Sequence, residues 1–109
     1  MTVALTEIWS KGASEVRNAA ISFAGKLDSS ELLSGTPTVT ASSTLITIAS
    51  AARNSATVTI DGESVIANKA VTFRVSGGTA GGRYTLTTTC ATDASVAQTL
   101  ICTVGLLVV

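Results

Sequence analysis

The feature that most constrains this chain is the spacing of its β-branched residues. They recur in short alternating runs divided by glycine, asparagine, aspartate and serine, and no long stretch carries the three-to-four spacing of an amphipathic helix. Valine, isoleucine and threonine are stiff at χ1 and fit a pleated, half-buried surface, so a mostly β domain is the expectation. The chain has 109 residues, the length of one ordinary domain. A domain of this size buries roughly 60 to 70% of the surface its unfolded chain exposes, which supports a core without metal or disulfide staples.

Strand-like segments fall at residues 17–24, 38–41, 44–49, 56–60, 70–75, 84–90 and 99–108. In the first, Ala19, Ile21 and Phe23 alternate with Asn18, Ala20 and Ser22, which places Phe23 on the core face; Gly25 and Lys26 end it. Asp28-Ser29-Ser30-Glu31 has the spacing of a small capping box, so Asp28 or Ser29 is expected to cap one helical turn that presents Leu32 and Leu33 to the core. Gly35 and Pro37 stop that turn. Arg53-Asn54-Ser55 and Asp61-Gly62 read as a loop and a turn, and residues 91–97, with Asp93 and Ser95, as a hairpin loop. Across that hairpin Tyr84, Leu86, Thr88 and Cys90 share one face, as do Leu100, Cys102, Val104 and Leu106, so the two cysteines can approach one another. They read either as small buried hydrophobes or as a single bridge. Short strands with turn signals every 8 to 12 residues or so predict an all-β, immunoglobulin-like antiparallel sandwich of about seven strands. Residues 1–15 are expected to form an extended N-terminal arm on a domain of residues 16–109.

Composition narrows the chemistry. There is no histidine, which removes the commonest general base, metal ligand and physiological pH switch. Seven basic residues balance seven acidic ones, so no long-range field draws the chain to nucleic acid or to an anionic membrane. No apolar run approaches the roughly 18 to 20 residues of a membrane helix. The opening residues lack a basic n-region and are interrupted by Glu7, so they do not read as a secretory signal; synthesis in a cytoplasm is expected. The acidic residues are scattered through turns and caps, and Asp61-Gly62-Glu63 is too short for a calcium loop. Serine and threonine abound without a partner base. No catalytic residue, cofactor or metal site is therefore expected, and the chain does not read as an enzyme.

The most distinctive stretch runs from Ser76 through Gly77, Gly78, Gly81 and Gly82 to Tyr84. A phosphate cradle would need a following helix and a lysine before serine or threonine. A strand follows instead, so these residues read as a structural loop, with the Tyr84 ring inward and its hydroxyl at the end of the sandwich. A mean hydropathy of +0.50 with only 13% charged residues suggests a surface that lives among neighbours. Ile8, Trp9 and Lys11 are the candidate interface. Trp9 either covers the open end of its own core or anchors into another subunit.

Lys11, then Phe23 with Leu27, then Val71-Thr72-Phe73-Arg74-Val75-Ser76-Gly77-Gly78, and Gly81 or Gly82 before Tyr84-Thr85-Leu86-Thr87, together resemble a family of small tailed-bacteriophage virion proteins. These are short immunoglobulin-like domains often described as fibre-tail adaptors. The resemblance runs from about Lys11 onward and departs at Gly12-Ala13-Ser14, where an Asp-Pro pair would follow the lysine, and around Arg53, where the loop is longer. It implies a non-enzymatic virion component with phage tail, fibre or capsid subunits as partners, present in symmetric multiple copies. The leading expectation is an adaptor joining fibres or other subunits to the tail. The alternatives are a capsid decoration or cement protein and, behind it, a carbohydrate-binding or adhesion module.

Overall fold

Along the two longest strands burial alternates residue by residue, as the period of two in a pleated strand requires. Tyr84, Leu86, Thr88, Cys90 and Thr92 point inward from one, and Val104, Leu106 and Val108 from the other. The computed structural model describes residues 3–5, 10–27, 30–60, 62–94, 96 and 98–109. Among them the strands are β1 (Val3–Leu5), β2 (Ser10–Lys11), β3 (Arg17–Ser22), β4 (Leu33–Ala41), β5 (Ile46–Arg53), β6 (Val58–Ile60), β7 (Glu63–Val65), β8 (Ala70–Gly77), β9 (Arg83–Thr92) and β10 (Thr99–Val108); a 3-10 turn, η1, spans Ala24–Lys26. The chain is all-β.

One sheet has the order β2-β10-β9-β4, a second β3-β8-β5, and a small third β1-β6-β7. Pairing is antiparallel except between β1 and β6 and between β2 and β10. The first two sheets enclose the main core, where Ile21, Phe23, Val71 and Phe73 meet Leu33, Leu86, Leu106 and Val108. Each such fully buried large side chain contributes about 1.5 to 3 kcal/mol of transfer free energy.

The third sheet changes the expected alternation. Ala20, expected to face outward, is fully buried in a second cluster with Val58, Ile60, Val65 and Ala70. Alanine suits this position because a layer lies directly over it. β7 itself was not expected: Gly62, at φ +85°, reverses the chain, and Glu63 pairs back onto Ile60.

Residues 24–33 also differ from expectation. The helical turn is η1, earlier in sequence, with Phe23 as its N-terminal flanking residue; Asp28 and Ser29 lie outside the described residues. Leu33 is buried as the first residue of β4, where Leu33 pairs with Thr92. Long-range pairing outweighs the local capping signal here. β4 absorbs Gly35 and Pro37 in a register shift between Ser34 and Thr38, the place where a sheet edge tolerates both residues. The β9–β10 loop begins later than expected, since β9 runs on through Ala91 and Thr92, and Thr92 N donates to Gln98 O at 2.9 Å. Asp93 fastens that loop to Leu32: Leu32 N donates to Asp93 Oδ1 at 2.8 Å and Asp93 N to Leu32 O at 2.9 Å.

Asn54, expected in a loop, is buried and organises the end of the second sheet. Its Nδ2 donates to Ala56 O, Val65 O and Ile66 O at 3.1, 3.3 and 2.8 Å. Its Oδ1 accepts from Lys69 N at 3.1 Å and Ala70 N at 3.0 Å. One side chain thus ties together the start of the 54–57 loop, the end of β7 and the start of β8.

Candidate functional site

Tyr84 opens β9 and is 9% exposed, its ring in the core. Its hydroxyl accepts a hydrogen bond from Thr79 N at 3.0 Å, which satisfies the one polar atom the ring carries inward. The glycine-rich loop wraps this side chain. Gly82 has no room for a side chain: a Cβ would stand 2.6 Å from the Tyr84 Oη and 2.8 Å from its ring carbons. Gly77 is required for backbone reasons. It sits at φ +85°, and a Cβ there would collide with Leu45 O. Gly78 N donates to Leu45 O at 2.9 Å and Gly81 N to Val108 O at 2.7 Å, while Val108 N donates to Gly82 O at 2.9 Å. The loop therefore clips the 45-turn and the end of β10 to the Tyr84 corner. The surroundings are backbone and apolar side chains, which is the geometry of a structural loop.

Of the three candidate interface residues, Ile8 and Trp9 lie outside the described residues. Lys11 does not stand on the surface. It is 1% exposed; its Nζ donates to Gly12 O at 2.6 Å, and β2 pairs in parallel with the end of β10, Val108 beside Lys11. Val109 N donates to Lys11 O at 2.8 Å and Ala13 N to Val109 O at 3.3 Å. Lys11 is thus a residue of the domain's own edge strand, its aliphatic stem buried and its amine satisfied by backbone. Next to it Gly12 N donates to Glu15 Oε1. That bond, with Arg17 and Lys11 adding their charge, holds the Glu15 carboxyl below the ordinary carboxylate range. In their described parts residues 1–15 are incorporated in the sheets, as β1 beside β6 and β2 beside β10.

The two cysteines share the inner face of the first sheet but are offset: Cys90 stands opposite Leu100 and Cys102 opposite Thr88. They are not joined in a disulfide. No group of three or more histidine, cysteine, aspartate or glutamate side chains stands together among the described residues. No described helix is long and apolar enough to cross a membrane.

The outward face of the first sheet is the surface the sequence reading did not single out. Across β4, β9 and β10 the register aligns Thr38, Thr89 and Ile101 in one row and Thr40, Thr87 and Thr103 in the next. Ile101 is 53% exposed. The side chains of these two rows carry methyl and hydroxyl groups and no charge; Lys26 Nζ donates to Ile101 O at 2.6 Å, and exposed Arg83 stands on the same face at the start of β9. Threonine at alternate positions in Thr85-Leu86-Thr87 and Thr38-Val39-Thr40 was the available signal; which strands stand side by side was not in it. No family model, no curated protein and no solved structure matches this chain.

Proposed function

We propose that this chain is a non-enzymatic structural component of a tailed-phage virion, an adaptor that joins fibres or other subunits to the tail. The carrying observation is the two adjacent rows of threonine and isoleucine side chains, none of them charged, across β4, β9 and β10 on a chain already short of charge. The cores of protein–protein interfaces are depleted of charge, and symmetric assemblies repeat one such patch in every copy. The topology supports the immunoglobulin-like part of the proposal. β3, β8 and β5 correspond in order to strands B, E and D, and β4, β9 and β10 to C, F and G; β2, which precedes them in the chain, is carried over to pair with the last. Tyr84, at the start of the strand in position F and bonded to backbone five residues upstream, has the form of the tyrosine corner of such sandwiches.

The test is a copy count. Purified particles of a phage that encodes this chain are analysed by quantitative mass spectrometry against the major capsid subunit. A small multiple of the tail symmetry is the expected result. Hundreds of copies would move the chain to the capsid as a decoration or cement protein, and complete absence would remove the virion reading.

A further inference from the structure

The second sheet carries a cleft of about 440 Å³ on the side where the 54–57 loop adjoins β3, β5 and β8. That volume is within the ordinary range of small-ligand sites, about 300 to 1,000 Å³. Its apolar lining includes Ala52 and Val58, and its neutral polar lining includes Asn18, Ser50, Thr57 and Thr72. Arg74 lines it and no acidic residue does; Arg53 also lines it, but its guanidinium is bonded to Leu33 O and Asn68 Oδ1, which lie outside the lining. Arg74 is therefore the cationic group the cleft offers a ligand.

Arg74 is held at the cleft by a lining neighbour, and Arg53 is held away from it. Arg74 Nε donates to Asn18 Oδ1 at 3.2 Å, across the register pair of β3 and β8, a bond that leaves both Nη groups for other acceptors. Arg53 Nη1 donates to Asn68 Oδ1 at 3.1 Å and to Leu33 O at 3.3 Å. The cleft wall is equally fixed. The five hydrogen bonds of Asn54 hold the start of its loop, and β5 breaks register between Ala49 and Ala52 with Ser50 at φ +57°. A non-glycine residue in that region persists only where its surroundings over-determine it. Bulges of this kind re-aim side chains beside binding sites.

We propose that this cleft binds an acidic monosaccharide, a pyranose carrying one carboxylate. The guanidinium of Arg74 takes the carboxylate, a planar oxyanion that matches its paired Nη donors. The amide of Asn18 and the hydroxyls of Ser50, Thr57 and Thr72 take the ring hydroxyls. An acidic peptide is the less suitable occupant, because this ring of neutral hydroxyls matches a polyol better than a main chain. No aromatic stacking platform is needed when charge and hydroxyl contacts fix the ring. The inference stands apart from the virion reading and does not depend on where the chain assembles.

The experiment is an amide-resolved NMR titration of the intact protein with glucuronate. Glucose, acetate and an acetylated Gly-Glu-Gly amide serve as separate probes, and Arg74→Gln as the variant. Glucuronate is expected to saturate shifts at residues 50–57 and 72–74 with a millimolar Kd. Arg74→Gln should retain the spectrum of a folded protein and bind at least about tenfold more weakly, a loss of about 1.4 kcal/mol. Glucose and acetate should each fail to saturate over the same range. Absence of saturable shifts would overturn the proposal, as would unchanged binding by Arg74→Gln. Equal binding of acetate would make the site a general oxyanion site, and tighter binding of the peptide would make it a peptide site; either result overturns the sugar assignment.

Discussion

At the scale of single residues the core contains one polar atom that works against the fold. Thr88 is fully buried, and its Oγ1 has no hydrogen-bond partner. An unsatisfied buried hydroxyl costs about 1 to 3 kcal/mol, and valine has nearly the same shape without it. Thr88→Val is therefore expected to stabilise the domain by about 1 kcal/mol, read as a higher urea midpoint at unchanged slope; a lower midpoint would mean that the hydroxyl is satisfied in solution. Two residues on, burial pushes the Cys90 thiol up from its ordinary value; its Sγ donates to Ser34 O at 3.5 Å. A raised native pKa means that stability is intact below the ordinary thiol range and declines as pH rises through the native value, because the unfolded chain releases that proton more readily. The urea midpoint of the wild type should fall at alkaline pH, and Cys90→Val should fall less. Equal declines would show that other groups carry the whole effect.

At the scale of elements, Asn54 outweighs any single strand contact at its end of the molecule. Replacing it with alanine removes the partner of two backbone N–H donors, one of them on fully buried Ala70, and of three carbonyls. Loss of a buried network of this kind costs about 3 kcal/mol. Asn54→Ala should accordingly lower stability by about that amount and speed amide exchange first at Lys69 and Ala70, whose N–H groups donate to it; a change below about 0.5 kcal/mol, the size of an ordinary surface substitution, would mean that water replaces the side chain. Nothing local marks Asn54 for this role. Arg53-Asn54-Ser55 reads as a loop, and it is one; that the loop's amide reaches the end of β7 and the start of β8 depends on contacts distant in sequence. The same division runs through the fold. Tyr84, Leu86 and Cys90 show their inward face in the sequence because period-2 alternation is local and the face is buried on both sides of one hairpin. Ala20 does not, because a third sheet covers it; Leu33, expected in the core, does reach it, but from a strand paired with Thr92 and not from a helical turn. Of the candidate interface, Lys11 was legible as a distinctive residue but not as a buried one, since its burial follows from β2 meeting the far end of the chain at Val108. The Arg74 cleft was likewise hidden, its lining coming from β3, β5 and β8, distant in sequence.

At the scale of the whole molecule the question is whether the N-terminal residues serve the fold or the assembly, and two truncations separate the roles. Removing residues 1–9 takes away β1, Ile8 and Trp9 and leaves β2 beside β10. Removing residues 1–11 also removes β2, with the Val109 N to Lys11 O bond and the buried stem of Lys11, and turns β10 into an unprotected sheet edge. An uncovered edge offers unpaired backbone groups to another chain. The longer deletion is therefore expected to lower stability by about 2 to 3 kcal/mol, through lost packing and backbone pairing, and to self-associate at concentrations where the full chain does not. The shorter deletion should melt within a few degrees of the full chain, a change of about 1 kcal/mol or less in a domain of this size. If residues 1–9 carry attachment, the shorter deletion will nonetheless be missing from assembled particles. That combination, a folded domain that no longer assembles, assigns Ile8 and Trp9 to an interface. Should the shorter deletion instead lose as much stability as the longer one, residues 1–9 serve the domain's own fold, through β1 on β6 or through Trp9, and attachment falls to the threonine and isoleucine rows of β4, β9 and β10, where Thr87→Lys would then be the substitution that blocks assembly while the domain stays folded.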